Sequence, residues 1–153
     1  AIVAATGVWA GRNMLSSRVV LPALLAAAIA QGTAWGIVLP SLSPVWVSPR
    51  LAAATQAAAR CQDVRVVSVG FNEPSFVFLT ATDTALVGPD AALAAAAEAE
   101  CAEIVTREIH KADLQAAATA AGVALDPAGT LEGFNISKGD WLQLTLFVPA
   151  RIE

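Results

Sequence analysis

The chain has 153 residues, 56% of them hydrophobic and only 14% charged, against about a quarter charged in an ordinary soluble domain. The formal net charge is −4 with no cluster of Lys or Arg, which argues against nucleic acid as a partner, and one His with two Cys outside any CxxC spacing argues against a metal centre. Charge is also unevenly placed: residues 1–49 carry only Arg12 and Arg18 (+2), whereas 50–153 carry seven basic and thirteen acidic residues (−6), so an apolar front joins an acidic, soluble-looking rear.

Residues 1–10, AIVAATGVWA, are apolar to their last residue and read as the end of a membrane helix. A signal-peptide core is the poorer reading, because no basic segment precedes it and a longer apolar run follows. The start at Ala1, inside an apolar run and without Met, suggests a piece of a longer protein. Residues 11–18, GRNMLSSR, form a short polar loop whose two arginines favour the cytoplasmic side. Residues 19–39, VVLPALLAAAIAQGTAWGIVL, contain no charged side chain. As a helix they would extend about 31 Å, close to the thickness of a bilayer's hydrocarbon core. A helix in a soluble domain would carry a polar face, and this chain is too short to surround one that does not. The expectation is a transmembrane helix running outward, with everything after residue 40 in the periplasm of a bacterium.

Residues 40–49, PSLSPVWVSP, hold three prolines and read as a stiff linker, with Trp46 suited to the membrane interface. Ser48–Pro49 has the pattern of an N-cap followed by Pro at the first helical position, which predicts a helix over Pro49–Arg60. From Asp63 strands and helices alternate. Val64–Val69 is a short β-branched strand, broken by Gly70–Phe71–Asn72–Glu73–Pro74. Ser75–Thr80 suits a strand by composition, but Pro74 at a helix start and the alternation that follows favour a short helix. Thr84–Val87 is a strand and Pro89–Glu98 an Ala-rich helix with Asp90 in its first turn. Ala102–Glu108 is a third strand and Lys111–Ala121 a helix stopped by Gly122. Leu131–Ser137 and Trp141–Val148 are strands joined through Lys138–Gly139–Asp140. The expected fold is therefore membrane helices followed by an α/β domain over 50–153: a small, mostly parallel sheet with flanking helices and a C-terminal β-hairpin.

Few residues point to chemistry. Cys61 and Cys101 each precede a strand, so they form a disulfide in an oxidising compartment or remain two buried thiols; the sequence leaves both open. His110 has no second His and no suitably spaced acid, and reads as a surface or capping residue. Asn135–Ile136–Ser137 matches a glycosylation acceptor but falls within a strand. The best candidates are Asn72 and Glu73, with Asp83 behind them, because ligands gather outside the carboxyl ends of parallel strands. No catalytic residue and no cofactor are indicated.

Val69–Gly70–Phe71–Asn72–Glu73–Pro74–Ser75–Phe76–Val77–Phe78–Leu79, followed by Thr82–Asp83–Thr84, resembles a stretch near the C-terminus of the bacterial membrane glycosyltransferases related to protein O-mannosyltransferases and lipid A aminoarabinose transferase. Gly133 to Gly139 and the closing strand Leu142–Val148 are similar to the same family's tail, as is the last apolar helix with its Trp-containing linker. The resemblance implies a large inner-membrane enzyme that moves a sugar from a polyprenyl-phosphate carrier to a glycan, lipid or protein acceptor in the periplasm. It also implies that the catalytic residues lie upstream of Ala1. Phe71 to Ser75 would then belong to an accessory domain near the membrane face, acting in acceptor docking or as a lid. The rival expectation is a membrane-tethered periplasmic binding or assembly module without enzymatic activity.

Overall fold

The computed structural model describes residues 17–151. The expected helix end at 1–10 and nearly all of the loop at 11–18 lie outside them. The chain divides into two compact units after Ser43.

In the first unit, α1 (Ser17–Thr33) runs on through a π-helical turn (Ala34–Val38) into a last α turn (Leu39–Ser41). Pro40 explains the widened turn. Its ring would strike the carbonyl four residues back, at Gly36, and a π turn at that point relieves the clash. The apolar segment Val20–Ser41 is 22 residues long, has a mean hydropathy of 1.5, and contains no buried residue. It is long and apolar enough to cross a membrane.

A 3₁₀ turn (Ser43–Val45) spans the boundary, and the second unit's first helix is α2 (Val47–Ala58). The linker is thus helical through most of its length, and α2 starts two residues before Pro49. Trp46 takes the N-cap position, and Pro49 falls within the first turn, where its missing N–H would have had no partner. There follow β1 (Arg65–Val69), α3 (Pro74–Leu79), β2 (Ala85–Val87), α4 (Pro89–Ala97), β3 (Ala102–Arg107), α5 (Glu108–Ala120), β4 (Val123–Asn135) and β5 (Asp140–Arg151). Pro74 and Pro89 both stand at the first helical position, where a fixed φ favours helix initiation.

The sheet order is β2-β1-β3-β5-β4. β1 pairs in parallel with β2 and β3, while β5 runs antiparallel to both β3 and β4. The sheet is therefore mixed: β1, β2 and β3 are parallel and β4 and β5 form the expected C-terminal hairpin at one edge, but these two strands are long enough that parallel pairing does not dominate. β4 begins at Val123, eight residues before the expected strand, and absorbs the Pro127–Gly129 stretch as a register shift. A Pro is tolerated there because β4 is an edge strand.

Alternating residues of the strands feed two cores. Val66 and Val105 join Leu51 of α2, Phe76 of α3 and Leu142, Leu144 and Leu146 of β5 on one face. Val67, Val69, Ile104 and Phe147 join Ala92 and Ala96 of α4 and Leu114 of α5 on the other. The result is three layers. The path from β1 to β2 and the path back from β2 to β3 run in opposite directions, so crossovers of one hand put α3 and α4 on opposite faces.

Candidate functional site

β1 and β3 point their carboxyl ends to the same edge of the sheet. β4 shares their direction, being antiparallel to β5, so the β4–β5 turn reaches that edge too. Three segments meet there: the loop after β1, the end of β3 and the hairpin turn. The loop leaves β1 through Gly70, whose φ of +79° a residue with a side chain rarely adopts. A Cβ at Gly70 would also meet the His110 ring, with Nε2 2.9 Å away. Beneath the loop, Phe71 and Phe76 pack edge to face with centroids 5.7 Å apart. Ser75 Oγ donates to Ser48 Oγ at 2.8 Å and ties α3 to α2. Ser48 is thus a buried residue of α2 and not its N-cap.

On the opposite wall Asn135 organises the turn. Its buried Oδ1 accepts from the backbone N–H of Ser137 (3.0 Å) and of Lys138 (3.2 Å) and from Ser137 Oγ (2.6 Å). Gly139, at φ +72°, closes the turn with its N–H on the Asn135 carbonyl, 2.7 Å away. The two walls approach where Ser137 Oγ lies 3.4 Å from Glu73 Oε1. Arg107 Nη2 lies 3.3 Å from Asp140 Oδ2, while Asp140 Oδ1 is buried without a partner.

These residues enclose a polar cleft of about 260 Å³ lined by Asn72, Glu73, Arg107, Asn135, Ser137 and Lys138. Beside it, sharing Phe71, Glu73, Asn135, Ser137 and Leu142, is an apolar groove of about 290 Å³ walled by Val45, Trp46, Leu79, Phe134 and Ile136. Each lies at or just below the lower end of small-molecule pockets, about 300 Å³. Together they form a two-part site: cations and hydrogen-bonding groups on one side of Glu73, hydrocarbon on the other. Such a pair suits an amphiphile with a charged head.

Asn72 and Glu73 stand together at this site. Asp83 does not. It precedes β2 and shares a separate depression of about 460 Å³ with Asp63 and Arg65 at the amino edge, a strand length from Glu73. The reason is topological: α3 carries the chain back across the sheet between the two positions. Cys61 and Cys101 are also at the amino edge and form a disulfide with Cα atoms 6.5 Å apart. Arg107, Asn135, Ser137 and Lys138 were not singled out from the sequence as site residues. Arg107 ends a parallel strand, a position that could have flagged it. Among the described residues, no group of three or more His, Cys, Asp or Glu is gathered as for a metal ion. No protein-family model, no curated protein and no solved structure matches this chain.

Proposed function

We propose that this chain is the C-terminal part of a bacterial inner-membrane glycosyltransferase that draws its sugar from a polyprenyl-phosphate donor. Its α/β unit would be a periplasmic accessory domain that docks the acceptor or closes over the donor. One observation carries the reading. The two stretches that resemble that family, 69–79 and 133–139, are 64 residues apart at Glu73 and Ser137 yet form the two walls of one site. Three further features support it. The groove and cleft match a hydrocarbon tail joined to a phosphate or sugar head. The groove begins at Val45, four residues after the apolar helix ends. The Cys61–Cys101 disulfide suits an oxidising compartment. The chemical step itself, with a base for the acceptor hydroxyl and cations for the leaving phosphate, would belong to residues upstream of Ala1.

The test is binding of a short-chain polyprenyl-phosphate hexose to the full chain in lipid nanodiscs. Saturable binding is expected, weakened about tenfold or more by Glu73→Ala and by Asn72→Ala, the cost of leaving polar groups unpaired. Binding that is absent, or indifferent to both substitutions, removes the domain from donor handling. A single membrane-length helix among the described residues also suits a tethered binding module without an enzyme. In that case the cleft would take a glycan with no preference for the polyprenyl phosphate.

A further inference from the structure

One buried acid has no part in the site at the carboxyl edge. Glu103 lies within β3, and neither oxygen of its buried carboxyl has a hydrogen-bond partner. Side chains on a strand alternate between faces, so its neighbours along the chain on its own face are Cys101 and Val105. Across the sheet they are Val66 of β1 and, from the register of Ile104 with Phe147, Val148 of β5. Val66 and Val105 belong to the core shared with α2, so Glu103 lies on the side that α2 covers. Three of its four neighbours are buried valines. The fourth, toward the amino edge, is Cys101, and Cys101 is bonded to Cys61. That bond also holds down the chain around it. Residues 60–63 join α2 to β1 without helix or strand and are all exposed. Among the described residues their other polar tie is Arg60 with Asp126 at 3.8 Å, a pair more than half exposed and worth little against water.

We propose that Glu103 and the Cys61–Cys101 disulfide form a proton-linked redox latch: breaking the disulfide opens the amino end of β3 to water, and Glu103 then gives up its proton. The reductant is a dithiol. It loses two electrons and two protons and closes to its own disulfide, while the Cys61–Cys101 bond breaks and each sulfur takes one electron and one proton. Glu103 releases one further proton to solvent, so reduction frees one proton in all. A bare carboxylate is costly in an apolar interior, which keeps Glu103 protonated while the latch is closed. No other charge is placed to offset that cost. β1 and α3 put no charged residue on the face of Glu103. β3 and β5 put Arg107 and Asp140 there, paired with each other at the carboxyl edge. β4 puts Asp126 there, beyond Val148, and its partner is Arg60 at the end of α2. Arg50, in the first turn of α2, donates to the Glu132 carbonyl, and Asp63 is exposed in the loop. Acid therefore keeps the disulfide closed, and a rise toward neutral pH readies it for reduction.

The test is the equilibrium of the full chain with dithiothreitol, in nonionic detergent, with a diselenide catalyst to keep exchange fast in acid. Exchange between two thiol pairs that stay protonated neither takes up nor releases protons, so any dependence on pH counts a proton held elsewhere. Burial holds Glu103 at a pKa of about 7 in the oxidised unit, and solvation on reduction returns it to the ordinary 4.5. The constant for reduction should then rise about 40-fold from pH 5 to pH 7 in the wild type, and stay level in Glu103→Gln. A level wild-type curve overturns the latch, and so does an equal rise in Glu103→Gln. A second measurement needs no variant. The infrared difference between oxidised and reduced wild type at pH 6 should show the carbonyl stretch of a protonated carboxylic acid lost on reduction. A band that survives reduction overturns the proposal. Near-UV circular dichroism should persist in the reduced chain. Its loss would mean that the whole unit unfolds, and the local opening falls with it.

Discussion

Replacing Glu103 by Gln should remove a pH-dependent destabilisation of the α/β unit. Glu103 is 1% exposed in the middle of the sheet, beside Val66 on β1 and, from the register of Ile104 with Phe147, beside Val148 on β5. Neither carboxylate oxygen has a partner. Burial pushes its pKa from 4.5 up to about 7. The folded state therefore holds a proton that the unfolded chain releases first. Stability from this group is full below about pH 4.5, falls as pH rises toward 7, and is level above that. A rise from 4.5 to about 7 corresponds to about 3 kcal/mol lost across that window. The Gln amide is never charged, but it also lacks partners there and costs about 1 kcal/mol. At pH 8 the variant should be more stable by about 2 kcal/mol, or about 10 °C in Tm for a domain of this size. The assay is thermal unfolding of the full chain in nonionic detergent, followed by near-UV circular dichroism from pH 5 to 8. The wild-type Tm should fall relative to that of Glu103→Gln, and the two curves should cross near the acid end. Parallel curves would refute the reasoning, since only the side chain at 103 differs.

Reduction of the disulfide, or Cys61→Ser with Cys101→Ser, frees a loop whose ends are 40 residues apart and should cost about 4 kcal/mol in the chain-entropy account; thermal unfolding with and without reductant measures it. Leu51→Ala, at a fully buried position of α2, should lose about 2–5 kcal/mol in the same assay. Gly133→Ala puts a methyl against Val47 Cγ2 and within 3.0 Å of the Pro44 carbonyl; a loss of about 1–3 kcal/mol is expected, and Val47→Ala added to it should recover part of that loss. Asn135→Ala leaves the N–H groups of Ser137 and Lys138 without their acceptor, so the hairpin turn should lose protection from amide exchange well before β5 does.

The elements with strong local signals were legible. β1, β2 and β3 show as short β-branched or apolar runs, and α3 and α4 announce themselves through Pro74 and Pro89 at the first helical position. The short helix at 74–79 looks like a strand by composition, and only the alternation of elements resolves it. The first half of β4 was hidden because Asp126–Pro127–Ala128–Gly129 has the composition of a turn, and a long edge strand with a register shift accommodates it. The linker prolines misled in the same way. Pro40 and Pro44 read as parts of a stiff linker and Pro49 as a helix start, yet each sits in a helical turn, Pro49 two residues inside α2, at a place where its missing N–H or its ring is accommodated. At the site, Asn72 and Glu73 followed from the rule that loops at carboxyl ends of parallel strands gather ligands. The same rule could have reached Arg107 at the end of β3, whereas Asn135 depends on the direction of β4, which a sequence does not reveal until the hairpin's place in the sheet order is known.

That direction also separates what stabilises the unit from the edge that carries the proposed site. At the amino edge, the Cys61–Cys101 disulfide, the Arg65 N–H on the Cys101 carbonyl (3.0 Å) and the Arg65–Glu98 ion pair (2.8 Å) fix the starts of β1 and β3 together. With the strands pinned at one end and packed on both faces, their other ends stay in register without help from the loops beyond them. Those loops are then free to carry features that weaken a fold: an exposed aromatic rim, Asp140 Oδ1 buried without a partner, and glycines held at positive φ. An acid and a cation half-buried beside an apolar groove would be a poor choice for stability alone. Their placement at the unpinned edge, where β1, β3 and β4 all end, is the arrangement expected if that edge was shaped by a ligand and the opposite edge by the need to hold the sheet.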